Sequence, residues 1–154
     1  MTVDLVGDID ESNPECYTSG EINTWLGLKG ITWKGRRNDV FQQISSAHVL
    51  VHPSHYGEGL PKVILEAGLC ARAVVTCDTV GCREAVRDED NGLLVPPRNL
   101  EALANAIERL ARDDALRHRL ALRHRQRVLT EFADEVILPQ YIQLIERLAE
   151  RVTP

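Results

Sequence analysis

Short, continuous runs of apolar residues alternate along the chain with longer segments in which apolar residues recur every three or four positions. Continuous apolar runs are typical of strands buried in a parallel sheet, and the longer spacing is typical of helices with one buried face. The predicted strands are residues 2–6, 31–34, 48–52, 73–77 and 93–95. Because strands alternate with helices, the pattern predicts an α/β protein with a parallel sheet.

The helical pattern is strongest after Asn99, a predicted N-cap. Helices are predicted at residues 21–28, 40–47, 61–71, 84–87 and 100–112. A further helix begins at Asp113 or Asp114 and carries Leu116, Leu120 and Val128. Pro139 should start or kink the last helix. The residues of that helix expected to face inward are Ile137, Tyr141, Leu144, Ile145 and Leu148.

Composition narrows the class of protein. We expect residues 1–154 to form a single, partial domain in which residues 134–154 are a C-terminal helix. Apolar content of 44% and charged content of 27% are typical of globular domains. The net charge of −5 speaks against nucleic acid as a partner, because phosphate binding favours a basic surface. The basic run of residues 117–127 is interpreted as a solvated helix face, with an anionic surface as the alternative partner.

Localisation and metal content follow from what the sequence lacks. No apolar run approaches the roughly 20 residues that span a bilayer, and the acidic N-terminus carries no signal segment. The four cysteines have no C-x-x-C spacing, and free thiols fit a reducing cytosol. We expect a cytoplasmic protein, with peripheral attachment to the inner face of the membrane as an option. His52 and His55 have no acidic or cysteine ligand at metal spacing, so no metal is predicted.

The segment from Glu58 to Glu66 carries the candidate chemistry. Glu58 lies in a glycine-containing turn after a predicted strand, and Glu66 lies inside the apolar helix that follows Pro61. Ligands of parallel α/β proteins bind where strands end and helices begin, and helix N-termini attract anions. Eight residues of helix rise about 12 Å, which is close to the span of a nucleoside diphosphate. Each carboxylate could therefore bind sugar hydroxyls at one end of such a ligand.

A simpler interpretation of the same segment stays open. Lys62 and Glu66 would form a surface ion pair one helical turn apart, and Glu58 would be a solvated turn residue. The apolar residues around Glu66 favour burial, where a carboxylate needs a partner or a purpose.

Residues 58–67 resemble the E-x7-E signature of retaining nucleotide-sugar glycosyltransferases with the GT-B architecture. Four other segments resemble the family in its order, at residues 5–8, 31–35, 73–84 and 91–97. Residues 81–84 are similar to enzymes that build bacterial surface polysaccharides. The resemblance implies a Rossmann-like parallel sheet with flanking helices, the donor-binding C-terminal half of a GT-B fold. The implied reaction moves a sugar from a nucleotide-sugar to an acceptor in lipopolysaccharide, capsule or O-antigen synthesis.

The resemblance also implies residue roles. Glu58 would be the catalytic residue that contacts hydroxyls of the donor sugar, and Glu66 would contact the ribose. Pro61 stands where many members have glycine, and it removes one backbone donor from the loop. The nucleotide-sugar is itself the substrate, so no cofactor is implied. The remaining donor-binding residues implied by the family are Gly59, Leu60, Pro61, Lys62, Gly35 and Arg36.

The chain departs from the family at its start. The resemblance begins at the family's second strand, so the first strand, the Arg/Lys pair for the diphosphate and the N-terminal acceptor domain are missing from it. We expect a portion of a longer enzyme that binds donor weakly or not at all and is inactive alone, with a lipid-linked acceptor as an option. The missing strand is central in the order 3-2-1-4-5-6. We expect residues 2–6 to pair directly with residues 48–52, or an oligomer to cover the gap.

Other functions stay open. A non-catalytic sugar-nucleotide-binding or assembly module would keep the same fold, and an epimerase of this architecture is a weaker match. A response-regulator-like domain would need an acidic cluster, which Asp8 and Asp10 could imitate, and a lysine after the fifth strand. Cys77-Asp78-Thr79 offers no such lysine, so this alternative is discounted.

Overall fold

The computed structural model describes residues 1–10 and 16–152. The polar loop that the sequence predicts across residues 9–20 lies partly outside the described residues. The chain divides into two compact units, Met1–Val40 and Phe41–Pro154. All described strands pair in parallel, so the predicted α/β class is confirmed.

The first unit is a parallel strand pair joined by a helix. Its elements are β1 (Val3–Val6), α1 (Ser19–Leu26) and β2 (Ile31–Gly35). The N-terminus of α1 is a capping box, in which the Thr18 hydroxyl accepts from the Glu21 amide and the Glu21 carboxylate accepts from the Thr18 amide. The Trp33 indole donates a 2.9 Å hydrogen bond to the carbonyl of Gly7 and so ties the end of β1 to β2.

The second unit carries a three-stranded parallel sheet in the order β3-β4-β5. The strands are β3 (Val49–His52), β4 (Ala73–Cys77) and β5 (Leu93–Val95). The helices are α2 (Val40–Ser46), which begins at the boundary between the units, α3 (Lys62–Leu69), α4 (Val80–Ala85), α5 (Leu100–Arg112), α6 (Asp114–Arg127) and α7 (Asp134–Val152). A π-helical segment, Val128–Phe132, joins α6 to the turn before α7.

The core of the second unit lies against β4. All five residues of this strand are buried, and Ala73, Val75 and Cys77 alternate onto the face that packs against α5 and α6. Leu110 and Leu120 are fully buried there. This mostly apolar strand lies at the centre of the sheet, as the sequence pattern predicts, because both of its faces are covered.

The predicted caps of α5 and α6 are confirmed. The side chain of Asn99 accepts a 2.9 Å hydrogen bond from the amide of Ala102, and that of Asp113 accepts one of 2.8 Å from the amide of Leu116. Each cap satisfies an N–H that the helix itself cannot pair. These helix boundaries depend only on neighbouring residues, which is why the sequence locates them.

Two helices differ from their predictions. α4 spans Val80–Ala85 and therefore begins after Thr79, earlier than the predicted turn at residues 84–87. α7 begins at Asp134, as predicted for the C-terminal helix, so Pro139 lies inside it rather than at its start. The side chains of Tyr141, Leu144, Ile145 and Leu148 are exposed, so their predicted inward orientation is wrong.

The predicted direct pairing of residues 2–6 with residues 48–52 is also wrong, and the alternative, an oligomer that covers the gap, stays a prediction. β1 pairs with β2, β3 pairs with β4, and no ladder joins β1 to β3 within residues 1–10 and 16–152. The described strands form two sheets of two and three strands instead of one. Which strands pair depends on contacts between segments far apart in the sequence. In each sheet, the paired strands are those that a crossover connection joins directly along the chain.

Candidate functional site

Glu58 lies in the loop between β3 and α3, at the carboxyl end of the three-stranded sheet. Its carboxylate Oε1 is 3.0 Å from Nε2 of His52, the last residue of β3. The hydrogen bond from His52 lowers the pKa of Glu58, burial opposes this, and a hydrogen bond from Ser54 adds to the lowering. With its side chain 38% exposed, Glu58 presents an ionised carboxylate at the place where parallel sheets bind ligands.

Gly81 in α4 holds the loop of Glu58 in place. A Cβ atom at Gly81 would lie 2.0 Å from the carbonyl oxygen of Gly59 and 2.6 Å from that of Glu58. Only a residue without a side chain allows the backbones to approach so closely. The position of Glu58 therefore depends on α4 as well as on β3.

Glu66 lies in the second turn of α3, as predicted, and its side chain is only 14% exposed. Its Oε1 is 3.7 Å from Nζ of Lys62, so the expected i,i+4 ion pair is present. Lys62 is 88% exposed, and such a pair contributes little to stability. Glu66 is thus a mostly buried carboxylate in a helix whose residues Ile64 and Ala67 are buried. Its ion-pair partner, the ammonium group of Lys62, is solvated.

The segment between the two acids forms the entry to α3. Gly59 and Leu60 are exposed, whereas Pro61 is buried and occupies the N-cap position with φ −71° and ψ 115°. No side chain caps this helix end. Amides in the first turn of α3 are therefore oriented toward the loop without a competing side-chain acceptor.

Gly35 and Arg36 belong to the other unit. Gly35 ends β2 with φ 63°, a left-handed conformation that favours glycine. The residues that follow line an open depression, where Arg37 makes two 2.8 Å hydrogen bonds to the carboxylate of Asp39. Arg36 lines the same depression and is exposed.

His124 is a site-supporting residue that the sequence prediction missed. It is fully buried, and its Nε2 donates a 2.9 Å hydrogen bond to the carbonyl of Ile64 in α3. Its Nδ1 accepts from the Asn91 amide at 2.8 Å. Burial lowers the pKa of His124, the bond to Ile64 raises it and Arg127 lowers it further. A neutral imidazole thus anchors the helix that carries Glu66.

The basic run of α6 has two faces. Arg123 is exposed, in line with the predicted solvated face, and pairs with Asp90 at 2.8 Å. Arg117 and Arg127 are mostly buried, with side chains 14% and 10% exposed, and pair with Asp114 and Glu131 at 2.8 and 3.0 Å. His124 is fully buried. The signal for its burial is the spacing of four residues that it shares with Leu116, Leu120 and Val128, all buried on α6 or just after it.

Cys82 is the second residue that the prediction missed. One ligand atom each from His52, Glu58 and Cys82 lies within 4.8 Å of the other two. Cys82 is fully buried in α4, and its Sγ lies 3.1 Å from the hydroxyl of Thr76. The fold thus brings a carboxylate and a thiol beside His52, although no such ligand stands at metal spacing next to it in the sequence. Nothing in the local spacing signals the cluster, because its members come from three different elements.

Comparisons with known proteins agree with one another. A profile of the family described as "Glycosyl transferases group 1" matches residues 1–113. The N,N'-diacetylbacillosaminyl-diphospho-undecaprenol alpha-1,3-N-acetylgalactosaminyltransferase of Campylobacter jejuni is 32% identical over 148 residues, which are 96% of this chain and 38% of that protein. The lipopolysaccharide core biosynthesis glycosyltransferase LpsE of Rhizobium meliloti is 32% identical over 142 residues, 92% of this chain and 40% of that protein.

A solved structure shows the same fold. The crystal structure of Anabaena Alr3699/HepE in complex with UDP-glucose matches with a TM-score of 0.80 and 27% identity over 95% of this chain and 41% of that one. The chain spans about two fifths of the length of the relatives that it matches. Over residues 1–10 and 16–152, no helix has the length and apolarity needed to cross a bilayer.

Proposed function

The chain belongs to the family of group 1 glycosyl transferases, and we propose that it is the donor-binding portion of a retaining glycosyltransferase in bacterial surface polysaccharide synthesis. The observation that carries the proposal is the exposed, ionised carboxylate of Glu58 at the carboxyl end of a parallel sheet. The Rhizobium relative supports the pathway, since it is a glycosyltransferase of lipopolysaccharide core biosynthesis. The UDP-glucose complex of the structural relative supports a nucleotide-sugar donor.

The two acids of the E-x7-E segment have separate tasks in this proposal. Glu58 accepts hydrogen bonds from hydroxyls of the donor sugar, because an exposed carboxylate held by His52 is an acceptor of fixed direction. Glu66 accepts from the ribose hydroxyls. The mostly buried position of Glu66 supports this role, because a hydrogen bond to a buried carboxylate is stronger than one in water.

The remaining residues bind the ends of the donor. The first turn of α3, with the backbone of Gly59 and Leu60 before it, faces the diphosphate, and Lys62 adds positive charge. The resemblance to the family also assigns Gly35 and Arg36 to donor binding, and this role stays a prediction. The acceptor in this proposal is lipid-linked, by analogy with the Campylobacter relative, which acts on a sugar carried by diphospho-undecaprenol.

The reaction breaks the bond between the anomeric carbon and the diphosphate. In the retaining mechanism the departing phosphate oxygen takes the proton of the acceptor hydroxyl, which attacks from the same side. The protein's contribution is electrostatic: the carboxylate of Glu58 stabilises positive charge on the sugar ring, and the amides of α3 with Lys62 stabilise negative charge on the leaving group.

Binding of UDP-, GDP- and ADP-sugars to the chain, observed by saturation-transfer NMR, tests the proposal. We expect weak binding of one nucleotide class and no transfer by this chain alone. Glu66→Ala should weaken binding by about 10-fold to 100-fold, since a hydrogen bond to a charged group contributes about 1.5–3 kcal/mol. Glu108→Ala is the matched control, because Glu108 forms the same kind of i,i+4 pair with Arg112 on α5. Equal effects of Glu66→Ala and Glu108→Ala on donor affinity, or sugar transfer by this chain alone, would contradict the proposal.

A further inference from the structure

We propose that His52, Glu58 and Cys82 form a binding site for a divalent transition metal ion of the zinc type. The three side chains contribute one imidazole nitrogen, one carboxylate oxygen and one thiol sulfur, and these atoms already lie within 4.8 Å of one another. In tetrahedral zinc sites the ligand bonds are about 2.0–2.3 Å, which places ligand atoms about 3.3–3.7 Å apart. The cluster would need to contract by about 1 Å to hold an ion.

The scaffold around the cluster favours this contraction over a larger rearrangement. His52 ends β3 and Cys82 lies in α4, so two of the three ligands come from regular elements. The close contact of Gly81 with the carbonyl oxygen of Gly59 fixes the loop of Glu58 beside Cys82. The side chain of Glu58 then has to turn only slightly, since its Oε1 is already 3.0 Å from Nε2 of His52.

A buried polar group supports two of the ligands. The hydroxyl of Thr76 lies 2.8 Å from the carbonyl oxygen of His52 and 3.1 Å from Sγ of Cys82, and Thr76 is fully buried. Metal sites commonly have such an outer partner, which orients a ligand and tunes its basicity. The hydroxyl has one proton and a carbonyl can only accept, so Thr76 donates to the carbonyl of His52 and its oxygen accepts from the Cys82 thiol, which orients the sulfur toward the cluster.

The ligand types select the metal. A thiolate and an imidazole favour Zn²⁺ and related ions, whereas Mg²⁺ and Ca²⁺ require mostly oxygen ligands. Three protein ligands leave a fourth position for water. The partly exposed side of Glu58 provides the route by which the ion enters.

Occupancy of this site would block the donor site. A carboxylate oxygen bound to Zn²⁺ no longer accepts hydrogen bonds freely from sugar hydroxyls, so the ion should compete with the donor for Glu58. This consequence rests on the proposed function, whereas metal binding itself does not.

Titration of the fully reduced chain with Co²⁺ tests the metal site directly. A cobalt–thiolate bond gives a charge-transfer band in the near ultraviolet, and we expect that band to appear on titration and to disappear when Zn²⁺ is added. The band should be lost in Cys82→Ser and kept in Cys70→Ser, the matched control, because Cys70 is a partly buried free thiol outside the cluster. Absence of the band from the unaltered chain, or its persistence in Cys82→Ser, would overturn the inference.

A second variant covers the case in which Cys82→Ser does not fold. His52→Gln leaves the buried thiol intact and should lower the affinity for Zn²⁺ by more than about 100-fold, because loss of a ligand exceeds the 10-fold to 100-fold cost of losing an outer partner. His48→Gln, an exposed position before β3, is its control. Equal Zn²⁺ affinity of His52→Gln and the unaltered chain would overturn the site.

Donor binding with and without Zn²⁺ separates this inference from the proposed function. Zn²⁺ should weaken nucleotide-sugar binding to the unaltered chain and leave that of Cys82→Ser unchanged. Cobalt–thiolate absorption together with equal donor affinities of Glu66→Ala and Glu108→Ala would support the metal site and contradict the proposed function. Donor binding without the cobalt–thiolate band would support the proposed function and contradict the metal site.

Discussion

Gly81 and Gly59 are in backbone contact: a Cβ atom at Gly81 would lie 2.0 Å from the carbonyl oxygen of Gly59. Gly81→Ala must therefore displace the loop that carries Glu58. Neither the new Cβ atom nor the backbone carbonyl can rotate out of the contact, so the backbone itself has to move. We expect a loss of about 1–3 kcal/mol in the free energy of unfolding, as in other overpacked sites, and loss of donor binding. Urea unfolding and saturation-transfer NMR measure the two effects.

Gly57→Ala is the matched control for this substitution. Nothing lies within 4 Å of a Cβ atom at Gly57, and its φ is outside the left-handed region. We expect its stability and donor binding to stay close to those of the unaltered chain. If Gly57→Ala and Gly81→Ala lost similar amounts of stability and donor binding, the contact between Gly81 and Gly59 would not explain the effect of Gly81→Ala.

The contact between His52 and Glu58 predicts a pH effect. His52 lowers the pKa of Glu58, so the carboxylate stabilises the fold at pH above its ordinary value. This contribution is lost as the pH falls through the lower native value. His52→Gln should raise the pKa of Glu58 toward the ordinary value. As the pH is lowered, this variant should therefore lose donor binding at a higher pH than the unaltered chain does. Carbon NMR of the Glu58 carboxyl group follows the change, with His48→Gln as the reference. If the titration of Glu58 were the same in His52→Gln and the unaltered chain, His52 would not be the cause of the lowered pKa.

His124 predicts a stability effect of pH with a different window. Its pKa is lowered by burial, so the unfolded chain takes up a proton near the ordinary value of about 6.5 while the folded chain does not. Stability should therefore be complete above that pH and decline as the pH falls toward the lower native value. In His124→Gln this decline should be smaller, although stability at about pH 7.5 should fall by about 1–3 kcal/mol through the disturbed buried hydrogen bonds. Urea unfolding across this pH range measures both, and a decline as steep as that of the unaltered chain would contradict the assignment.

The contact of α3 with the π-helical segment predicts a rescue experiment. A Cβ atom at Gly68 would lie 2.5 Å from Cγ2 of Val128 and 3.1 Å from Nε2 of His124. Gly68→Ala should lower the free energy of unfolding by about 1–3 kcal/mol. The double variant Gly68→Ala/Val128→Ala should lose less than the sum of the two single variants, because the second change removes the obstructing methyl groups. Additive losses in thermal or urea unfolding would show that the two residues do not share this contact.

Part of the fold could be predicted because its causes are local. β4 is a run of five buried residues that are apolar except for Thr76, and α5 has a regular apolar face and a side-chain cap at Asn99. The E-x7-E segment was placed correctly at the end of a strand and the start of a helix, since glycines and a proline mark that change. The roles assigned to Glu58 and Glu66 remain predictions.

Other features could not be predicted from local patterns. The apolar residues of α7 repeat at helical spacing, yet Tyr141, Ile145 and Leu148 are exposed, because spacing reports a helix and does not report what covers it. His124 looks basic within its run of arginines. Its buried hydrogen bonds to Ile64 and Asn91 depend on elements far away in the sequence.

The sequence by itself determined the order of strands and helices, the position of Glu58 and Glu66 relative to them and the family of the chain, because these follow from patterns between neighbouring residues. Only the tertiary structure decided that β1 and β3 belong to separate sheets and that Cys82 stands beside His52 and Glu58. The physical reason is that sheet pairing and backbone contact at Gly81 are set by packing between segments remote in the chain, where local propensity carries no information.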